Sequence, residues 1–196
     1  MKNLCIALLL VTTSLSFAQK AKPKAATSSA LATFENLKAE IITEGGKQKL
    51  AIIIDNAGKK ENVILKDLTT KDKAQQPTNF KIKSFTVSGV KLYHFSYTEN
   101  IITETKLKKE NALITSNEIW DLSATKLKIL GNIQTVTNIK EIKKLGKSEA
   151  TETVEKTRRE GFEFVLAKDF EVLLSTKIQT NKYKFNATTR RYDPKK

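Results

Sequence analysis

Apolar and polar residues alternate with a period of two along most of the chain, most clearly between Gly161 and Tyr192. In the first segment of this stretch, Phe162, Phe164 and Leu166 share one parity. A period of two places successive side chains on opposite faces of a strand, so that one face can be buried. The pattern predicts strands over residues 161–166, 171–179 and 182–186, and a fourth strand that ends at Tyr192.

Similar short segments precede this stretch and are separated by turn-forming residues. Gly45-Gly46, Gly58 and Ser88-Gly89 supply positions at which positive φ is readily adopted. Many short strands at regular spacing are typical of sandwiches and barrels. The fold class predicted is mainly β, with antiparallel meanders forming a sandwich or barrel-like domain. The predicted strands are 34–42, 49–54, 62–65, 80–87, 90–97, 101–108, 112–116, 118–122, 126–130 and 133–139.

Residues 148–160, from Ser148 to Glu160, are predicted to form one short helix. Ser148 suits an N-cap, Glu152 and Lys156 form an i,i+4 pair, and Gly161 stands where a C-cap glycine belongs. The threonines of this segment favour a strand instead, because β-branched side chains have β preference. The helix is the interpretation that accounts for more of the local signals.

The N-terminus has the parts of a secretory signal peptide. Lys2 precedes a short apolar run, and Ser16 and Ala18 are the small residues expected before a cleavage site. We therefore expect residues 1–18 to be removed, leaving Gln19 as the first residue. Residues 19–30 are predicted to be a flexible leader and 31–196 a single β-rich domain, with a candidate seam at 69–79. The apolar run is shorter than the roughly 20 residues that span a bilayer, so no transmembrane segment is expected in the mature chain.

The chain is strongly basic, with a net charge of +14, but only four of its 35 basic residues are arginine. Lysines spread over every segment are typical of a solvated surface, whereas the arginine fork binds carboxylate or phosphate in a bidentate manner. The arginines occur as two pairs that flank the last predicted strands. A fourth strand would carry the second pair back along the sheet toward the first. In one interpretation the two pairs then form a patch with one neighbouring lysine, and in the other they are unrelated solvent-facing pairs. The candidate anion-binding set is Lys156, Arg158, Arg159, Arg190 and Arg191.

The sequence offers few groups for catalysis. His94 is the only histidine and has no motif partner, and the one cysteine, Cys5, lies inside the predicted signal peptide. No glycine-rich phosphate loop or metal-ligand spacing occurs. We predict no catalytic residue, no cofactor and no metal. Trp120 is predicted to lie in the core, and Asn186, although it begins an Asn-Ala-Thr triplet, is predicted to form a turn between strands.

The signal ending Ser-Phe-Ala-Gln and the abundance of lysine, isoleucine and asparagine resemble small exported proteins of Bacteroidota. This resemblance implies a periplasmic or extracellular location. The leading hypothesis is a non-enzymatic envelope or secreted protein that binds an anionic glycan or lipopolysaccharide, with no nucleic-acid partner. Two alternatives remain: a hydrolase of envelope polysaccharide or lipid that uses paired carboxylates, and an accessory subunit with an envelope protein as its partner.

Overall fold

A computed structural model of the chain describes residues 30–69, 75–123, 126–146 and 150–195. These residues form three antiparallel sheets with almost no helix, and the strands of each sheet follow one another in chain order. The prediction of a mainly β, sandwich-like fold is confirmed. The predicted signal peptide and nearly all of the predicted leader lie outside the described residues. No helix within the described part of the chain is long and apolar enough to cross a membrane.

Sheet A contains the first four strands, joined mostly by tight turns. Gly45 and Gly46 have φ of 59° and 76°, and Ala57 and Gly58 have φ of 52° and 93°, as two-residue hairpin turns require. Leu50 and Ile52, in the centre of the sheet, are fully buried. Its strands are β1 (Ala32–Phe34), β2 (Leu37–Glu44), β3 (Lys47–Asn56) and β4 (Lys59–Asp67).

Sheet B has five strands, and its central strands are much longer than the sequence predicted. The sequence predicts separate short strands at 101–108, 112–116 and 118–122, but these segments belong to two long strands joined by a turn around Leu107. Polar residues such as Asn100 and Asn117 do not interrupt these strands, because the ladder is made by backbone groups whatever the side chain. The strands are β5 (Thr78–Val87), β6 (Val90–Glu104), β7 (Lys108–Asp121), β8 (Leu127–Lys144) and β9 (Thr151–Gly161).

The predicted helix is wrong: the described part of residues 148–160 belongs to strand β9. This strand pairs along its whole length with β8, from Thr151 opposite Lys144 to Gly161 opposite Gln134. The i,i+4 pairs that favoured a helix contribute only about 0.2–0.5 kcal/mol each, whereas the neighbouring strand offers a complete ladder of backbone hydrogen bonds. The abundant charges of β9 are typical of an edge strand, where they discourage pairing with other chains.

Sheet C contains the last four strands and confirms the four-stranded meander predicted at this end of the chain. The predicted strand 171–179 ends earlier, because Thr176 and Gln179 are joined by a backbone hydrogen bond in a turn. The turn predicted at Asn186 is present, and Asn186 Oδ1 accepts a hydrogen bond of 3.0 Å from the Thr188 amide. The strands are β10 (Glu163–Leu166), β11 (Val172–Ser175), β12 (Thr180–Asn186) and β13 (Arg191–Pro194).

Sheet B is the middle layer, with sheet A packed on one of its faces and sheet C on the other; we name these the A face and the C face. Phe95 and Trp120 share a buried core with Leu50 of sheet A, so the prediction that Trp120 lies in the core is confirmed. Ile119 shares a second core with Val172 of sheet C. Both cores lie at the end of sheet B near the β5–β6 turn, and the far ends of the long strands extend beyond them.

The candidate seam at 69–79 lies between sheets A and B, although residues 70–74 are outside the described chain. Strand β4 ends in sheet A at Asp67 and β5 begins sheet B at Thr78. Side chains of both sheets nevertheless belong to one buried cluster. The segment therefore joins two sheets that share a core.

An ion pair connects sheet C to the end of sheet B. Asp121, at the end of β7, is almost fully buried and binds the guanidinium of Arg190 from the β12–β13 turn. Its Oδ1 also accepts a hydrogen bond of 3.0 Å from the Ser123 amide. Burial acts to raise the pKa of Asp121, but the bonds from Ser123 and Arg190 together outweigh it and hold the pKa below its usual value. The ionised carboxylate therefore stabilises the folded state.

This pair predicts a pH-dependent contribution to stability. Because the folded pKa of Asp121 is depressed, its contribution is present above the unfolded value of about 3.9 and is lost as the pH falls through the folded pKa. In urea unfolding between pH 7 and pH 2.5, the wild type should exceed Asp121→Asn in stability near neutrality, and the difference should shrink below about pH 4. Asp67→Asn, at an exposed position, is the control. A difference that stays constant down to pH 2.5 would contradict the assignment.

Candidate ligand groove

A groove of about 450 Å³ opens on the C face of sheet B, where sheet C stops covering it. Its floor consists of hydroxyl and amide side chains brought side by side by the strand register. Ser96 lies opposite Asn117, and Thr98 opposite Thr115, which in turn pairs with Gln134. These five polar residues lie on three adjacent strands, within two neighbouring cross-strand rows. The groove floor is therefore an uncharged polar surface with convergent hydrogen-bonding groups.

The rim on the β5 side results from an irregularity in the strand. The register between β5 and β6 shifts between Thr78 and Lys81, and Asn79 there has a φ of 53°. Bulges of this kind redirect side chains. Asn79 Nδ2 donates a hydrogen bond of 3.0 Å to Thr98 Oγ1, while Lys81 lines the groove without an acidic partner in the described chain. The rim thus supplies one cation.

The opposite wall is formed by β10 of sheet C, with Glu163 and Phe164. Phe164 stacks on the ring of His94, with centroids 5.0 Å apart. Asn132 Nδ2 donates a hydrogen bond of 2.9 Å to the carbonyl of Phe162, immediately before the strand. These contacts fix the wall to the floor, so the groove is formed before any ligand arrives.

His94 orients one of the floor residues. Its Nε2 lies 3.1 Å from Asn117 Oδ1, which accepts the hydrogen bond. Burial is the main influence that lowers the pKa of His94, and the charge of Lys83 acts in the same direction against the bond to Asn117. The ring is therefore neutral near pH 7. Because Oδ1 of Asn117 is engaged by His94, its amide N–H groups are the part that faces a ligand.

Most of the groove's functional groups have no partner within the described protein. Ser96, Thr115 and Gln134 make no side-chain hydrogen bond to another described residue, and Glu163 forms no ion pair there. Side-chain amides and hydroxyls both donate and accept hydrogen bonds. Such a surface suits a ligand rich in hydroxyl groups, and Lys81 and Glu163 add one charge of each sign at its edges.

The carboxylates in and near the groove bear on the hydrolase alternative. The groove lining includes one carboxylate, Glu163, whereas most glycosidases use two. Two other acids, Glu99 and Glu118, are buried on the A face, where Lys66 and the Trp120 indole respectively bind them. Within the described residues, no three His, Cys, Asp or Glu side chains cluster in a way that could hold a metal ion.

No family model, curated protein or solved structure matches the chain. The functional interpretation therefore depends on the groove and on the charges around it.

The structure does not bring the two predicted arginine pairs together. Arg190 lies beside Asp121, which pairs with Leu127 at the start of β8, whereas Arg158 lies opposite Thr137. Ten strand residues separate these positions, a distance of about 30 Å. A single patch formed by both pairs does not exist in this fold.

Three of the five candidate cations are already paired with acids. Lys156 Nζ lies 3.4 Å from Glu141, Arg158 Nε lies 3.4 Å from Glu160, and Arg190 binds Asp121. Arg159 and Arg191 form no ion pair with another described residue. Arg158 and Arg159 are adjacent on a strand, so they point to opposite faces. Anion binding by this set stays a prediction, for which Arg159 and Arg191 offer the unengaged guanidinium groups.

The sequence prediction missed the groove residues altogether. Ser96, Asn117 and Gln134 are widely separated along the chain and share no motif. One sequence signal could have indicated this surface. Ser96, Thr98 and Asn100 occupy alternate positions of β6, where a buried face would carry apolar residues. A polar stripe on one parity of a long strand indicates a face without a covering sheet.

Proposed function

We propose that this protein is an exported, non-enzymatic glycan-binding protein of the bacterial envelope, and that the groove on the C face binds a glycan carrying negative charge. Lipopolysaccharide saccharide and acidic polysaccharide are the candidate ligands. The observation that supports this most is the set of unengaged amide and hydroxyl groups of Ser96, Thr115 and Gln134, next to Lys81. Polar groups held by a rigid sheet fix the orientation of a ligand without a large ordering cost.

The groove's chemistry favours a saccharide over the other ligand classes. A lipid tail requires an apolar lining, but the floor here is hydroxyl and amide. Nucleic acid is usually bound by several cations along the backbone, whereas Lys81 is the one cation among the described lining residues. Phe164 adds an aromatic surface at the wall, where the apolar side of a sugar ring can pack. The basic net charge of +14 would attract an anionic glycan over a longer range.

Removal of the unengaged floor groups tests the proposal. Polygalacturonate and delipidated lipopolysaccharide serve as probes in isothermal titration calorimetry. Each lost hydrogen bond contributes about 1 kcal/mol, so Ser96→Ala/Gln134→Ala should weaken binding about 10- to 30-fold. Neither side chain has a partner in the described protein, so stability should change little. The control is Thr43→Ala/Asn62→Ala, two exposed positions of sheet A.

Binding of both probes that is equal in the groove variant and in the control would overturn the proposal. The hydrolase alternative is tested in the same samples by mass spectrometry of the glycan after incubation. Cleavage by the wild type that is lost in Glu163→Gln would establish catalysis at the groove and replace the binding function. Intact glycan with affinity that falls as salt increases is the expected result.

A further inference from the structure

Beyond the groove, no described residue outside sheet B covers the C face, which continues to the far end of the long strands. The next cross-strand row contains Asn100, Leu113, Val136 and Arg159, and the row after it is formed by Ile102, Asn111, Asn138 and Thr157. Leu113 and Ile102 are 45% and 49% exposed. These rows extend the groove floor directly, with uncharged polar and branched apolar side chains and a single arginine.

The A face of the same strands is built differently, although it also extends past the sheet that covers it. There Thr137 and Ile139 of β8 are only 2% and 3% exposed. The positions beside them carry the long side chains of Glu110, Arg158 and Lys156, whose aliphatic stems can cover apolar neighbours. The pKa of Glu110 is lowered, first by its hydrogen bond with Lys108 and further by the charges of Arg158 and Lys156. Charged pairs thus close the A face, whereas the C face is left open.

Lys81 and Arg159 lie at opposite sides of the uncovered part of the C face, and neither has an acidic partner among the described residues. Lys81 on β5 lies in the same row as Ser96, and Arg159 on β9 lies two rows further along. Four strand spacings and four strand residues separate them, so the diagonal between them measures about 20 Å. This line crosses the groove floor and passes Leu113 and Val136. The diagonal ends at Arg159, two rows before the row in which Glu104–Lys109 and Lys140–Glu155 form ion pairs of 2.9 and 2.7 Å.

We infer that the ligand is an extended acidic polysaccharide chain that crosses all five strands of sheet B diagonally, with anionic groups at Lys81 and at Arg159. This inference depends on the proposed function and specifies the length and charge pattern of its ligand. The uncharged amides and hydroxyls bind the sugar hydroxyls between the two cations, and Leu113 and Val136 pack against the apolar side of the rings. The guanidinium fork of Arg159 binds a carboxylate in a bidentate manner.

The test measures affinity against chain length with oligogalacturonates from the dimer to the dodecamer. For the wild type, affinity should rise with length until the chain reaches from the groove to Arg159, and then level off. Arg159→Gln should reduce the affinity for the longest chains about tenfold and leave that for the shortest chains unchanged. The matched control is Arg158→Gln, the adjacent arginine on the A face, which should bind all lengths as the wild type does.

The outcomes separate this inference from the proposed function. In one outcome short oligomers bind in the groove while affinity does not increase with length, and in another the two arginine variants bind all lengths alike. Either result would overturn the inference of an extended ligand and leave the proposed glycan binding in the groove intact. If no oligomer of any length binds, and delipidated lipopolysaccharide does not bind either, both are overturned. Thermal midpoints of the two variants should be close, since the exposed Arg158–Glu160 ion pair that only Arg158→Gln removes contributes at most about 1 kcal/mol.

Discussion

Phe95→Ala is expected to lower the free energy of unfolding by about 3–5 kcal/mol, the usual cost of truncating a fully buried phenylalanine. Phe95 is 0% exposed and lies in the core between sheets A and B, with the Phe80 ring 6.2 Å away. Truncation removes apolar area and leaves a cavity that the surrounding strands cannot close, because their ladders fix the backbone. Chemical denaturation monitored by circular dichroism at 218 nm measures the effect.

The control for this prediction is Ile178→Ala, which removes a side chain of comparable hydrophobicity that is 95% exposed. Its expected effect is within about 0.5 kcal/mol, because exposed substitutions away from special features are nearly neutral. Because Phe95 belongs to the core shared by sheets A and B, Phe95→Ala should give one cooperative transition at lower denaturant. Equal denaturation midpoints for the two variants would show that Phe95 is not buried between sheets A and B.

Gly161→Ala is expected to destabilise the protein by about 3 kcal/mol, through backbone strain together with a steric clash. Gly161 has a φ of 79°, and an added Cβ would overlap the carbonyl oxygen of Ile133 on the neighbouring strand. This glycine ends β9, immediately before the chain leaves sheet B to begin sheet C. Relief of the clash requires β8 and the β9–β10 connection to separate, which disturbs the wall of the groove as well.

Gly58→Ala is the matched control, because Gly58 also has positive φ, at 93°, but nothing lies within 4 Å of the position of an added Cβ. Its cost should be limited to the conformational strain of about 1–2 kcal/mol. Thermal unfolding of both variants separates the two contributions. A Gly161→Ala protein that is no less stable than Gly58→Ala would contradict the close approach of Ile133.

The error at residues 148–160 shows what local sequence signals cannot determine. A capping serine, favourable charge spacing and a terminal glycine all fit a helix, and Gly161 does adopt the positive φ that a C-cap would need. The same glycine also suits a chain that turns sharply at a sheet edge. Strand β8 decides between helix and strand for this segment, because its backbone pairs with 11 residues of β9. That partner is not visible in the local sequence.

Local sequence was sufficient to predict the β class and the tight turns at Gly45-Gly46 and Ser88-Gly89. These features depend on period-two alternation and on residues that tolerate positive φ, and both are local properties of the chain. The tertiary structure alone decided the strand lengths, the identity of β9, the separation of the arginine pairs and the existence of the groove. The groove requires Ser96, Asn117 and Gln134 to stand side by side, and sheet C to end beside them. Register and layer packing arise from contacts between residues far apart in the chain, so no single segment contains the information that places these side chains together.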